Sequence, residues 1–148
     1  MDLKALRLER LARQLPQLTT RQINAALSVT VSELHGAELG SSLWQATGPL
    51  ISALAQRDLG GARVLELGAG VGTAGIAAAL LGAARVVLAD KPEVVPHTRR
   101  NVDVNAAALA ACAAPAPAVE CAALSWGEDA VQGPFELVIA SDCCYERT

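Results

Sequence analysis

The stretch "RVLELGAGVGTAGIAAALLGAARVVLAD", residues 63 to 90, decides the fold class. A short run rich in β-branched and apolar residues leads into glycines, a helical run of small residues follows, and a second β-branched run closes it. Strand, turn, helix and strand in that order form a βαβ unit, so the two strands are expected to be parallel. Further along, "PEVVPHTRRNVDVNAAALAA" (92–111) has helical spacing, "AVECAAL" (118–124) and "FELVIA" (135–140) read as strands, and "AACAAPAPAVE" (110–120) is an Ala/Pro connector. The predicted class is α/β, a parallel sheet covered on both faces.

The N-terminal part reads differently. Leu3, Leu6, Leu11 and Leu15 recur at helical spacing among Arg7, Arg10 and Arg13, which predicts an amphipathic helix ending near Pro16. "LTTRQINAALSV" (18–29) reads as a second short helix, "VTVSEL" (29–34) as a strand, "HGAELGSS" (35–42) as a turn-rich loop and "LWQATGPLISALAQ" (43–56) as a helix. The division expected is a helical segment over 1–27 and the main domain over 28–148.

With 148 residues, 52% of them hydrophobic and 18% charged, the chain has the composition of one globular domain. A formal net charge of −3 gives no basic footprint for nucleic acid or anionic membrane, and no apolar run of about 18 residues is present. The alanine excess reads as compositional bias. Cys112, Cys121, Cys143 and Cys144 lack metal-ligand spacing, so they are expected to be reduced, buried thiols and no metal site is predicted. The expected location is cytoplasmic or nuclear, with organelle targeting by the Arg-rich N-terminus as the alternative. His35 and His97 have no partner at useful spacing, and Asn101 and Asn105 are expected to fix helix and loop geometry.

The glycine turn between strand and helix brings backbone amides close to a ligand. A dinucleotide fingerprint needs glycines at positions 1, 3 and 6, the last for close helix packing. Counted from Gly68, position 6 is Thr73, and the fingerprint is broken. Glu66, just before the turn, would repel a pyrophosphate and suits a ligand carrying an amino group and a sulfonium. Asp90, at the end of the next strand, stands where a carboxylate can accept hydrogen bonds from ribose hydroxyls of either kind of nucleotide.

An acidic residue followed by G-x-G-x-G resembles the first motif of the seven-β-strand, class I methyltransferases. Within them the chain is similar to methyltransferase family 16, the protein-lysine methyltransferases. The likeness rests on "LGSSLWQA", "VLELGAGVGTAGIAAALLGAARVVLAD", "NVDVNA", "LSWG" and "FELVIASDCCY" in that order, over roughly residues 28 to 146. It implies a Rossmann-like doubly wound sheet of order 3-2-1-4 and S-adenosyl-L-methionine as cofactor. Carried over by motif, Trp44 would stand at the cofactor entrance, although the family's Trp-Pro is Trp44-Gln45 here. Gly68, Ala69 and Gly70 would touch the methionine moiety, Asp90 the ribose and Trp126 the adenine, with Ser141 completing the wall.

The resemblance also gives the catalytic candidates, Asp142 and Tyr145, as its D-x-x-Y motif. Asp142 would orient the incoming ammonium of a protein lysine, and Tyr145 would form a wall of its channel through a cation–π contact. The family's domain continues beyond D-x-x-Y with a helix and three more strands, whereas this chain stops at Thr148. The expectation is therefore an incomplete domain whose fourth strand is an apolar edge open to self-association or to a partner. Two other functions stay open: a cofactor-binding pseudoenzyme or partner-binding fragment, and a nicotinamide-dependent oxidoreductase opposed by Thr73 and Glu66.

Overall fold

A computed structural model describes residues 15–34, 39–112 and 115–144. The amphipathic helix expected over residues 3–15 lies, but for its last residue, outside them, as do His35 and Tyr145. The first elements are β1 (Gln17–Gln22) and β2 (Ser28–Glu33), an antiparallel hairpin that pairs Gln17 with Glu33 and Gln22 with Ser28. This corrects the helical reading of residues 18–29. Asn24 turns the chain, its Oδ1 accepting from the N–H groups of Ala26 and Leu27, both at 2.9 Å, and Thr20 and Thr30 join hydroxyls across the strands at 2.9 Å.

A 3₁₀ turn (Leu39–Ser41) leads to α1 (Thr47–Leu54). The alternating part follows: β3 (Arg63–Leu67), α2 (Thr73–Leu80), β4 (Arg85–Asp90), α3 (Val95–Val104), α4 (Ala106–Ala110), β5 (Ala118–Ala123) and β6 (Leu137–Ala140). Asn105 breaks the single helix expected over 92–111 into α3 and α4. The four strands are parallel in the order β5-β4-β3-β6, the 3-2-1-4 arrangement implied by the resemblance. From β3 the chain steps to β4 on one side and later returns to β6 on the other, so the connections part above the C-terminal ends of β3 and β6 and leave a crevice there.

The two faces of the sheet differ. Val64, Val86, Leu88 and Ile139 pack with the hairpin's Val29 and Val31, with α1, α2 and Leu109 of α4 in the larger core. Leu65, Val87, Ala89 and Leu124 face the other way and are covered by Val131 and Phe135, which come from the loop after β5. Both faces are thus covered, the second one by this loop, with no helix on it among the described residues. Beside it, Val138 of the edge strand β6 is 53% exposed.

Every residue of α2 is buried, and its alanines and glycine let it lie between the sheet and α1. In α2 the alanines are thus packing choices and not compositional noise. At the opposite end of the sheet, Arg63 pairs with Glu136 and Arg85 with Glu120. Arg85, at the start of β4, also lies over the Phe135 ring at 5.6 Å, tying the approach to β6 to that strand.

Candidate functional site

A cleft of about 490 Å³ opens at the C-terminal ends of the strands, in the crevice between β3 and β6. Trp44, Glu66, Gly68, Ala69, Gly70, Asp90, Trp126, Ser141 and Asp142 all line it. Nine of the ten residues singled out in the sequence, drawn from five separate stretches, thus meet around one space; the tenth, Tyr145, lies outside the described residues.

The glycine loop is held from behind and left open in front. Gly68 has φ +61°, and a Cβ there would stand 2.5 Å from the Cβ of Cys143, so both its conformation and its neighbour require glycine. The Gly70 N–H donates to Asp90 Oδ2 at 2.7 Å, and the Lys91 N–H donates to Oδ1 at 2.7 Å. Each oxygen keeps lone pairs for a further donor. These bonds also show that Asp90 does not cap α3, which starts at Val95 without a side-chain cap. Thr98 donates its hydroxyl to the Gly70 carbonyl at 2.6 Å, and Asn101 Nδ2 donates to the Val71 carbonyl at 3.0 Å.

Glu66 is 3% exposed and turns toward the first turn of α2, where its Oε2 accepts the Gly75 N–H at 2.8 Å. That N–H is one of the group that a helix start leaves without an intrahelical acceptor. Burial pushes the Glu66 carboxyl up to about 8; the Gly75 N–H works against this and the negative charge of Asp90 adds to it. A Cβ on Gly75 would meet Leu88 Cδ2 at 2.2 Å and Glu66 Oε2 at 2.7 Å. Gly75 therefore does the close packing that a dinucleotide fold assigns to its third glycine, two residues later than the position tested in the sequence.

The mouth is aromatic and exposed. Trp44 and Trp126 are 48% and 54% exposed, so neither is a core side chain. Trp126 rides a turn after β5 that begins where the Leu124 N–H donates to the Asp90 carbonyl at 2.8 Å and that is tied by Ser125 N–H to Asp129 Oδ2 at 2.8 Å. Ser141 and Thr47 approach hydroxyl to hydroxyl at 3.4 Å, joining α1 to the end of β6. Asp142 follows with φ +50°, a left-handed conformation that Asp tolerates better than most residues, and is exposed. Cys143 and Cys144 line the cleft, with sulfurs 3.9 Å apart. None of the four cysteines is fully buried and Cys144 is exposed, contrary to expectation.

Several residues that build the site were not singled out as such in the sequence. Glu33, buried at the end of β2, accepts the Leu43 N–H at 2.8 Å and so anchors the segment that presents Trp44. Gly40 passes over the glycine loop with its carbonyl oxygen 3.3 Å from where a Gly70 Cβ would stand. Asn101 on the inner face of α3 and Asn105 at its C-terminal cap, one turn on, read the outer edge of β2 as a further strand would. Asn101 Oδ1 accepts the Ser32 N–H at 2.7 Å, and Asn105 bonds both the N–H and the carbonyl of Thr30 at 3.1 and 2.6 Å. Because Asn101 also holds Val71, Asn101→Ala leaves buried backbone groups of the hairpin and the glycine loop without partners. It should destabilise the chain by about 2–3 kcal/mol, read as a lower thermal midpoint; an unchanged midpoint would show that water replaces it.

Comparison with known proteins gives the same reading. The family model described as lysine methyltransferase matches residues 23–148. A protein-lysine N-methyltransferase, rrg1, of Schizosaccharomyces pombe is 36% identical over 119 residues, covering 73% of this chain and 38% of its own length. An EEF1A lysine methyltransferase 3 of Xenopus tropicalis is 33% identical over 121 residues, covering 78% of this chain and 50% of its own. The chain thus spans half or less of the length of these relatives. Among solved structures, a Pyrococcus abyssi tRNA (uracil-54, C5)-methyltransferase in complex with S-adenosyl-L-homocysteine superposes with a TM-score of 0.53 at 24% identity, covering 82% of this chain and 27% of that one, a likeness of fold. With 126 of its 148 residues inside the family match (148 − 23 + 1), the chain belongs to the lysine methyltransferase family.

Proposed function

We propose that the chain binds S-adenosyl-L-methionine and forms the cofactor half of a protein-lysine methyltransferase. The observation that carries this reading is Glu66, a carboxylate at the buried end of a nucleotide-type cleft. In its ionised form it would repel a pyrophosphate and can receive an ammonium group. The names of the relatives support a protein lysine as acceptor. The residues present fit the cofactor: Asp90 has acceptor capacity left for ribose hydroxyls, the left-handed Gly68 and Gly70 leave the loop bare, and an exposed indole, Trp126, can cover a base.

S-adenosyl-L-methionine supplies a methyl group on a sulfonium, a leaving group that needs no protonation. What the chain must do is orient, exclude water and align a neutral amine. In this reading Asp142, exposed on the cleft wall, orients the incoming lysine ammonium, and Tyr145 keeps the channel-wall role that the resemblance implies. A positive charge bound in the cleft would lower the lysine pKa, and the proton would leave through solvent.

Calorimetric titration with S-adenosylhomocysteine, with NADH as control, tests the cofactor. Micromolar binding of the first alone is expected, weakened about 100-fold or more in Asp90→Ala, which removes an ionised acceptor of two hydroxyls and lets the Gly70 amide go. Binding of NADH, or indifference of S-adenosylhomocysteine to Asp90→Ala, would overturn the reading.

A further inference from the structure

Two buried side-chain hydroxyls have no hydrogen-bond partner among the described residues, Ser32 Oγ and Thr73 Oγ1. Only Thr73 lines the cleft. It is 1% exposed, and its hydroxyl, like any buried polar group, costs stability unless something bonds it. Thr73 is also the first residue of α2, an eight-residue helix whose N-terminal N–H groups and dipole favour a negative charge. Two residues on, in the same helical turn, the Gly75 N–H is already taken by Glu66. The buried end of the cleft therefore holds an unpartnered hydroxyl at a positive helix terminus, with the Glu66 carboxyl bonded two residues further along the same turn. That pairs a donor at Thr73 with an acceptor held at Gly75.

The chemical group matching such a pair is a zwitterionic α-amino acid head. We propose that Thr73 is a ligand-selecting residue, its hydroxyl donating to the carboxylate of the cofactor's amino-acid end while Glu66 receives the ammonium. This rests on the cofactor reading above and goes beyond it by assigning the discrimination of the amino-acid end to a residue with no part in the glycine pattern. Among the described residues nothing bonds this hydroxyl, and the ligand's carboxylate would. Removal of the hydroxyl should therefore raise stability and lower affinity together, a combination that a purely structural threonine cannot give.

The test compares wild type, Thr73→Val and Thr73→Ser by calorimetry with three ligands: S-adenosylhomocysteine, its decarboxylated analogue, and 5′-methylthioadenosine, which lacks the amino-acid end. Thr73→Val is expected to weaken S-adenosylhomocysteine about 10- to 100-fold, the ratio for one hydrogen bond to a charged group. The other two ligands should bind it as they bind wild type, and Thr73→Ser should restore the affinity. The melting temperature of empty Thr73→Val should not fall below that of wild type. Equal weakening of all three ligands would make Thr73 structural and overturn the proposal, as would an unchanged affinity for S-adenosylhomocysteine. Failure of wild type to bind any of the three would instead overturn the cofactor reading itself, and this proposal with it.

Discussion

Gly75→Ala is expected to lower the thermal midpoint of the chain by about 10 °C or more, a cost of about 3 kcal/mol for a single methyl group. The new Cβ would stand 2.2 Å from Leu88 Cδ2, 2.7 Å from Glu66 Oε2 and 3.2 Å from Val86 Cγ1. None of the three can step aside. Leu88 and Val86 are wholly buried between β4 and α2, a Cβ on Gly72 would already stand 3.2 Å from Leu88 Cδ1, and the Glu66 oxygen is bonded to the backbone of Gly75 itself. The helix must lift from the sheet, and the whole of its buried surface goes with it. Gly48→Ala is the control: in the first turn of α1 a Cβ meets nothing within 4 Å, and the same methyl should stabilise by about 0.5–1 kcal/mol through helix propensity. Equal midpoints for the two variants would mean that α2 is not seated on β3 and β4 as described.

The contrast between those two glycines marks what could be read in the chain. β3, β4 and β5 were legible because β-branched runs bounded by glycine, lysine or proline have few other readings, and the return to β6 followed from the order of elements. The hairpin was not, because "LTTRQINAALSV" reads as a short helix with a Thr cap, a reading that Asn24, building its own turn at residues 24–27, overrides. Gly75 escaped because the fingerprint was tested at position 6, whereas the close approach falls where Glu66 reaches the helix. The site residues themselves were legible through their motifs. Their supports Glu33, Thr98 and Gly40 were not, since a buried carboxylate that holds a backbone N–H leaves no pattern in a single sequence. What covers the second face of the sheet also had no signature: a loop carrying Val131 and Phe135 does it.

Glu66→Gln should separate stability from ligand binding and give them opposite signs. The buried carboxyl is pushed up to about 8 from an ordinary value near 4.5. Between those two values the folded chain holds a proton that the unfolded chain has released. Its contribution to stability is therefore complete below about 4.5, declines as pH rises, and is gone above about 8. Glutamine keeps an oxygen for the Gly75 N–H and has no charge at any pH. The midpoint of Glu66→Gln, relative to wild type, should thus rise between pH 5.5 and 8.5 by on the order of 5 °C; parallel midpoints across that range would mean that Glu66 titrates as an exposed carboxylate. Binding runs the other way. An ammonium selects the ionised carboxylate, so wild-type affinity for S-adenosylhomocysteine should climb by nearly tenfold per pH unit between about pH 6 and 7 and level off above about 8, with a proton released on binding. The glutamine variant should bind about 100-fold more weakly at pH 8 and show no such slope. Where the empty wild type is least stable it binds best, because the same ionised carboxylate that strains the vacant cleft is the one that the ligand's positive charge completes.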